Sequence, residues 1–338
     1  MEEAILNALK GKNVLITGGC GFLGSNIAHA LANTGANITI FDIMQPDVHE
    51  NDVYHNIANV EEIKDKVRLV KGDIRDFEAV CDEVKGKDII FHCAGHTSHP
   101  QSLRNPHLNL DINCKGSLNL LEAARRFNDK ARIVYVATST QIGAKKKDVI
   151  DEDHSEFPRD IYSANKMAAE KYHLIYNYIH KIPTIVLRAG NTYGPRAAIH
   201  SPNFGFINYF IGLALKGKDL TIYGEGQQKR SVTFVDDITD AILRAAIKKE
   251  VVGETMFITR ENSYTIKEIA EAIVEVFGNG KIKSIPWPDE RKAMEVGDVM
   301  ISNKKSRESL GWIPKTELKD GLKKTKEYYE PRIGKYLK

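Results

Sequence analysis

Much that would assign a chain to a specialised class is missing from these 338 residues. Cysteine is scarce: Cys20, Cys81, Cys93 and Cys114 are all there are. No two form a CxxC pair, and no Cys/His group has zinc-finger spacing. Neither a disulfide framework nor a metal site is expected, and free thiols in a reducing cytoplasm are the simplest account. No apolar run approaches the roughly 20 residues that span a bilayer. The opening Met1-Glu2-Glu3 carries the wrong charge for a secretory signal. Neither sign of charge dominates, with 48 basic and 45 acidic residues. That removes the bulk electrostatic case for nucleic acid or membrane as partner. The runs Lys145-Lys146-Lys147 and Lys323-Lys324 are short and lack interleaved aromatics, so they read as solvated surface. There is no internal repeat and no low-complexity segment.

What is present is a rhythm. Apolar, β-branched runs at Val14 to Thr17, Ile38 to Phe41, Val67 to Lys71, Asp88 to His92, Ile133 to Ala137 and Thr184 to Leu187 read as strands. Helical patterns lie among them, at Asn26 to Asn33 and from about Tyr162 to Lys181. Strand–helix alternation with near-continuous apolar strands predicts a doubly wound parallel sheet covered on both faces. After about Arg188 the pattern loosens. Pro195 to Pro202 and Tyr223 to Arg230 read as ordered loops, and helices return at Asp237 to Lys249 and Ile266 to Phe277. The expected division is a first domain of residues 1–188 plus about 232–256, and a smaller α/β domain of 189–231 and 257–338.

Thr17-Gly18-Gly19-Cys20-Gly21-Phe22-Leu23-Gly24 follows a strand and opens a helix. Gly18, Gly21 and Gly24 would let backbone approach a pyrophosphate, and the helix N-terminus would offer its free N–H groups. Asp42, ending the next strand, lies where an acid accepts hydrogen bonds from an adenosine ribose and repels a 2′-phosphate, which predicts NAD rather than NADP. Asp73, in Gly72-Asp73-Ile74-Arg75-Asp76, is a candidate for the adenine amino group or for capping the next helix. Cys93-Ala94-Gly95 supplies small side chains beside the dinucleotide.

Tyr162 and Lys166 are four apart on a helix, so phenol and ammonium share one face. A tyrosine is a poor base at neutral pH. The lysine and a cationic nicotinamide are expected to lower its pKa, so that it takes a proton from a hydroxyl while hydride leaves. Thr138, Ser139 and Thr140 follow a strand at the carboxyl edge of the sheet, where a hydroxyl partner is wanted.

With these segments the chain resembles the extended short-chain dehydrogenase/reductase superfamily, and within it the NAD-dependent nucleotide-sugar epimerase/dehydratase family. The resemblance runs from about Gly11 to Trp312, through Leu187 to Arg196 and Gly224 to Asp237. It implies a Rossmann-like domain for NAD and a C-terminal domain for a nucleotide diphosphate-sugar. It implies Tyr162 as acid/base, Lys166 as its partner, and Thr138 as the catalytic hydroxyl with Ser139 as alternate. Asn191 matches an asparagine on the substrate phosphate and Arg230 an arginine on the diphosphate, with Arg291 and Asp298 at the nucleotide end. A homodimer through the Tyr162 helix is also implied. Departures are Ile142, where a tyrosine is common, and Ala189-Gly190, where bulky residues are common; the latter are expected to widen the sugar pocket or shift the nicotinamide contact.

The family's 4,6-dehydratases carry Asp-Glu after the threonine, its decarboxylases a glutamate in this loop and its 3,5-epimerases a cysteine. Ser139 and Thr140 stand there instead. The expectation is 4-epimerisation by transient oxidation at C4, with 4-keto-sugar reduction and a non-catalytic NAD-binding regulator as the alternatives.

Overall fold

The computed structural model describes residues 3–49, 52–289, 292 and 295–337. Seven strands form the main sheet: β1 (Asn13–Thr17), β2 (Asn37–Asp42), β3 (Val67–Lys71), β4 (Ile89–His92), β5 (Arg132–Thr138), β6 (Thr184–Ala189) and β7 (Thr255–Ile258). Their order is β7-β6-β5-β4-β1-β2-β3, and every pairing is parallel. The chain winds outward both ways from the β1–β4 junction. That junction is where a doubly wound sheet opens a crevice for ligands. Central strands β1, β4 and β6 are buried almost throughout, as expected with helices on both faces.

The helices start close to where the pattern places them. Phe22–Leu31 begins four residues before the expected Asn26, because the glycine turn itself supplies its first turn. The long helix spans Ile161–His180 and a later one Val235–Ile247, with Phe206–Leu215 between them. β7 was not foreseen; Thr255-Met256-Phe257-Ile258 is short and follows a turn, yet it completes the sheet beside β6.

Two large apolar cores result. One lies under the sheet and includes Ile16, Phe91, Leu187, Ile242 and, from far down the chain, Leu310 and Trp312. Trp312 is fully buried, and its indole N–H donates to Asp237 O at 2.7 Å, which ties the C-terminal region to the Val235–Ile247 helix. The other core gathers the helices Phe206–Leu215, Ile266–Phe277 and Leu318–Tyr329 around Tyr193 and Phe234. Thr265 and Glu268 form a capping box on Ile266–Phe277, a device that contributes about 1 kcal/mol. Among the described residues, no helix is long and apolar enough to cross a membrane.

Candidate active site

The glycine turn is packed so tightly that side chains are excluded. Gly18 has φ +67°, and a Cβ there would lie 2.7 Å from the backbone of Ala94, across the β1–β4 junction. A Cβ on Gly24 would overlap the Gly18 carbonyl oxygen. Gly21 precedes the helix with no side-chain cap, and helical bonding starts with Ser25 N donating to Gly21 O at 3.0 Å. The first-turn N–H groups at Phe22 and Leu23 precede that bond, and this end of the helix opens at the carboxyl edge of the sheet. Such an end suits a pyrophosphate.

Asp42 is buried at the end of β2. Its Oδ2 accepts from Cys20 N at 3.0 Å; its Oδ1 accepts from Met44 N at 2.8 Å and Asn56 Nδ2 at 3.1 Å. A carboxylate has about four acceptor sites, so capacity for a ribose hydroxyl remains. Asp42 therefore also holds the glycine turn in shape, a second role the sequence did not reveal.

Asp73 is held by Arg75, whose backbone N and Nε both donate to Oδ1 at 2.9 Å. The guanidinium keeps the carboxyl below its ordinary range. The helix cap considered for Asp73 falls instead to Asp76, which accepts from Ala79 N; Asp73 lies too early to reach the helix. Ile74 is buried against Gly116. Cys93 N donates to Thr17 O at 3.1 Å, extending the β1–β4 seam. Burial pushes the Cys93 thiol up to about 12, which makes it inert. Ala94 packs on Gly18, and a Cβ at Gly95 would crowd Asn113 Oδ1 at 2.9 Å.

The Ile161–His180 helix is capped by Asp160, whose Oδ1 accepts from Ser163 N at 2.8 Å. Tyr162 and Lys166 project from it and are 7% and 5% exposed. Thr138, at the end of β5, lies near enough to Tyr162 to bear on its ionisation. Burial raises the phenol to about 12; Thr138 lowers it and the Asp160 charge adds to the rise. Lys166 is not among the groups that set it. The ammonium donates to Val136 O at 2.7 Å and sits 4.2 Å from the centre of the Tyr135 ring. Of the two cations expected to act on the phenol, the lysine directs its ammonium at a backbone carbonyl. Burial draws Lys166 down to about 7.

Thr138 and Ser139 separate cleanly. Thr138 is the one that bears on Tyr162, and its Oγ1 lies 3.0 Å from Thr140 Oγ1 and accepts from Thr140 N at 3.2 Å. Ser139 faces the cavity. The turn ends at Gly143, φ +59°, where a Cβ would overlap the Phe157 carbonyl oxygen. Ala144 N donates to that oxygen at 3.2 Å and Phe157 N to Ile142 O at 2.9 Å. Ile142 is buried with Ile150, Phe257 and Ile301.

Beneath the turn lies a charge cluster that the sequence reading missed. Gln141 Nε2 donates to Glu170 Oε2 at 2.7 Å and to Glu156 Oε1 at 3.1 Å. Arg188 donates to Glu170 through Nε at 2.9 Å and Nη2 at 2.7 Å, and also to Glu156. Glu170 sits four residues beyond Lys166, and that spacing was the available signal.

A cavity of about 670 Å³ runs along this edge, lined by Ser139, Thr140, Asn191 and Arg230 among others. Tyr162 and Lys166 are not among its lining residues. His99, Asp160 and Arg159, none singled out from sequence, are in the wall. Asn191 Nδ2 donates to Ser231 O at 3.2 Å. Arg230 donates to Glu295 Oε1 at 2.6 Å and to Gly297 O at 2.7 Å. Asp298 accepts from Lys229 N at 2.8 Å, which gives it a structural job beside the cavity. Arg291 lies outside the described residues. Tyr223 and Trp287 place their rings 5.2 Å apart in the wall, an aromatic surface suited to a base. Gly190 also lines the cavity, but a Cβ there would strike Thr259. Its smallness serves that contact, so Gly190→Phe would disturb packing rather than fill the sugar pocket. Among the described residues, no group of three or more His, Cys, Asp and Glu could hold a metal ion.

Comparison with known proteins agrees over nearly the whole chain. The family model described as GDP-mannose 4,6 dehydratase matches residues 15–325. A putative UDP-glucose 4-epimerase of Methanocaldococcus jannaschii is 30% identical over 314 residues, covering 92% of this chain and 96% of the relative. Among solved structures, an epimerase of Methanothermobacter thermautotrophicus superposes with a TM-score of 0.88 at 27% identity, over 98% of this chain and 96% of the other. A dTDP-glucose 4,6-dehydratase of Bacillus anthracis in complex with NAD superposes with a TM-score of 0.80 at 28% identity, over 96% and 98%.

Proposed function

Since the chain belongs to the NAD-dependent nucleotide-sugar epimerase/dehydratase family, we propose that it is a nucleotide-sugar 4-epimerase. The observation that carries this is the cavity wall after Thr138. Elimination of water needs carboxyl groups there, and Ser139 and Thr140 offer only hydroxyls. Oxidation and re-reduction at one carbon needs no more than a proton carrier and a hydride carrier.

NAD, when bound, supplies the hydride acceptor and donor. The glycine turn and the first turn at Phe22 and Leu23 would hold its pyrophosphate, and Asp42 its ribose. Tyr162 would take the proton of the sugar hydroxyl, with Thr138 beside it. A phenol held at about 12 by the protein stays protonated at neutral pH, so it needs a cation beside it to ionise and accept a proton. The nicotinamide ring would bring that charge. Lys166, anchored on Val136 O, would hold the nicotinamide ribose. Asn191 and Arg230 would take the diphosphate, Arg230 after exchanging its Glu295 partner.

The test has two arms. Ligands retained on the purified protein are identified by mass spectrometry, and a panel of UDP-, GDP-, CDP- and dTDP-sugars is assayed for C4 epimers by NMR. Tyr162→Phe should retain NAD and lose turnover by about 10²–10⁴-fold. Accumulation of a 4-keto-6-deoxy product would overturn the epimerase reading in favour of dehydration.

We also infer a homodimer. The long helix exposes Ile175, Tyr178 and Ile179, and helices packed against it expose Leu103 and Leu110. Such an apolar surface suits a second copy. Ile175→Glu should halve the mass measured by light scattering; a wild-type monomer would refute the pairing.

A further inference from the structure

We propose that Glu295 is an internal stand-in for the substrate's diphosphate: its carboxylate fills an anion hole in the cavity wall that a phosphate oxygen takes over when the nucleotide sugar binds. This rests on Arg230 taking the diphosphate in the reading above. The hole consists of three donors aimed at one atom. Glu295 Oε1 accepts from Arg230 Nη2 at 2.6 Å, from Gly297 N at 2.8 Å and from Val296 N at 3.0 Å. Successive backbone N–H groups in a turn form a concavity for anions, and Gly297, with φ +72°, supplies the left-handed residue such a turn uses. A carboxylate oxygen offers about two acceptor sites. Three donors oversubscribe it, whereas a terminal phosphate oxygen, open on three sides, can meet them all.

The hole lies where a diphosphate is wanted. Arg230, Glu295 and Val296 line the cavity, as does Asn191, the other phosphate candidate. Strand pairing sets Asn191 beside Val232, two residues from Arg230. The frame of the hole does not depend on the carboxylate. Arg159 Nη1 donates to Glu295 O at 2.6 Å, and Arg230 Nη1 donates to Gly297 O at 2.7 Å and Lys229 O at 2.8 Å. Lys229 N donates to Asp298 Oδ1 at 2.8 Å, and Met300-Ile301 pair with Val149-Ile150. Nη1 thus fastens the guanidinium to the loop while Nη2 bonds the anion. The carboxylate can leave without taking the donors with it.

Its way out is open, since the Glu295 side chain is 24% exposed. Arg230 exchanges one anion for another, so no charge is left unpaired in the wall. The consequence is a weaker grip. The diphosphate has to displace a carboxylate already held, so the protein binds nucleotide sugars less tightly than the bare hole would. Substrate and product of an epimerase carry the same diphosphate, and the returning carboxylate eases release of either.

The test uses the full-length protein loaded with NAD, titrated calorimetrically with UDP, GDP, CDP and dTDP at fixed ionic strength. For the diphosphate that binds tightest, Glu295→Gln, which keeps the shape and removes the charge, should lower Kd. Glu295→Ala, which empties the hole, should lower it about tenfold. A carboxylate that only props the loop predicts the reverse: Kd rises, and alanine is worse than glutamine. Formate in place of chloride should refill the hole in Glu295→Ala and bring its Kd back toward that of the wild type, which itself barely responds. Arg230→Met should raise Kd about tenfold and separates this inference from the reading beneath it. If Arg230→Met raises Kd but the Glu295 variants do not lower it, or formate leaves Glu295→Ala unaffected, only the stand-in falls. If Arg230→Met leaves Kd unchanged, or none of the four diphosphates binds, the assignment of Arg230 falls first and the stand-in with it.

Discussion

Lys166 and Glu170 stand one turn apart on the same helix, both buried, and the protein treats their charges in opposite ways. Glu170 is met by Arg188, Gln141 and Lys171, and stays below its ordinary range although burial pushes it up. Lys166 meets a carbonyl oxygen and the face of a tyrosine, and burial draws it down to about 7. A buried charge with matched partners is a fastening. A buried charge left short of a counter-charge is a cost that only a task repays. The helix thus carries a matched ion pair on one turn and, on the turn before, a buried lysine that donates to a carbonyl oxygen.

The largest effect that would sharpen this contrast is on the fastening. Arg188→Met strands Glu170 and Glu156 and should destabilise the fold by about 3–5 kcal/mol in urea unfolding. A loss below about 1 kcal/mol would mean that the cluster is not the anchor described.

Next comes the pH dependence of stability, measured on dinucleotide-free protein. Lys166 falls from an ordinary 10.5 to about 7 in the fold. Between those values the unfolded chain holds a proton that the folded chain has lost, so stability rises with pH across that window. Below about 7 both states are charged and the burial cost is present in full. Lys166→Met should remove that slope without destabilising the protein at neutral pH, while turnover collapses. A loss of stability comparable with Arg188→Met would break the contrast.

The smallest effect is on the tie between cluster and catalytic turn. Gln141→Leu removes two donors from the carboxylates and should cost about 1–2 kcal/mol, leaving NAD affinity unchanged. Unaltered stability would show that the turn is held by its backbone alone.

What could be seen in the sequence divides along the same line. The parallel sheet was legible because runs such as Ile89-Ile90-Phe91 and Ile133 to Ala137 are apolar without alternation, as a doubly covered strand allows. Tyr162 and Lys166 were legible because their interval is a helical turn. β7 escaped because four residues after a turn carry no periodicity of their own. The Arg188–Glu170–Gln141 cluster escaped because its members are 18 and 29 residues apart, and only folding brings them together. His99 escaped for the same reason: its partner Asp160 is 61 residues away. The spacing of Tyr162 and Lys166 puts two side chains on one face but does not say which acceptor the ammonium will choose. Val136 O was nearer than any pattern could tell.

The clamp at Gly143 limits how this site can change. Thr138 is fixed by the sheet, and five residues later the backbone is pressed against Phe157 with no room for a side chain. The stretch between has both ends pinned, so an inserted or deleted residue would have to pull a strand or a bridge apart. New chemistry at this wall must come from exchanging side chains at 139 to 142 within an unaltered length. Installing a carboxyl pair there is a matter of two substitutions, and the scaffold would not have to move to receive them.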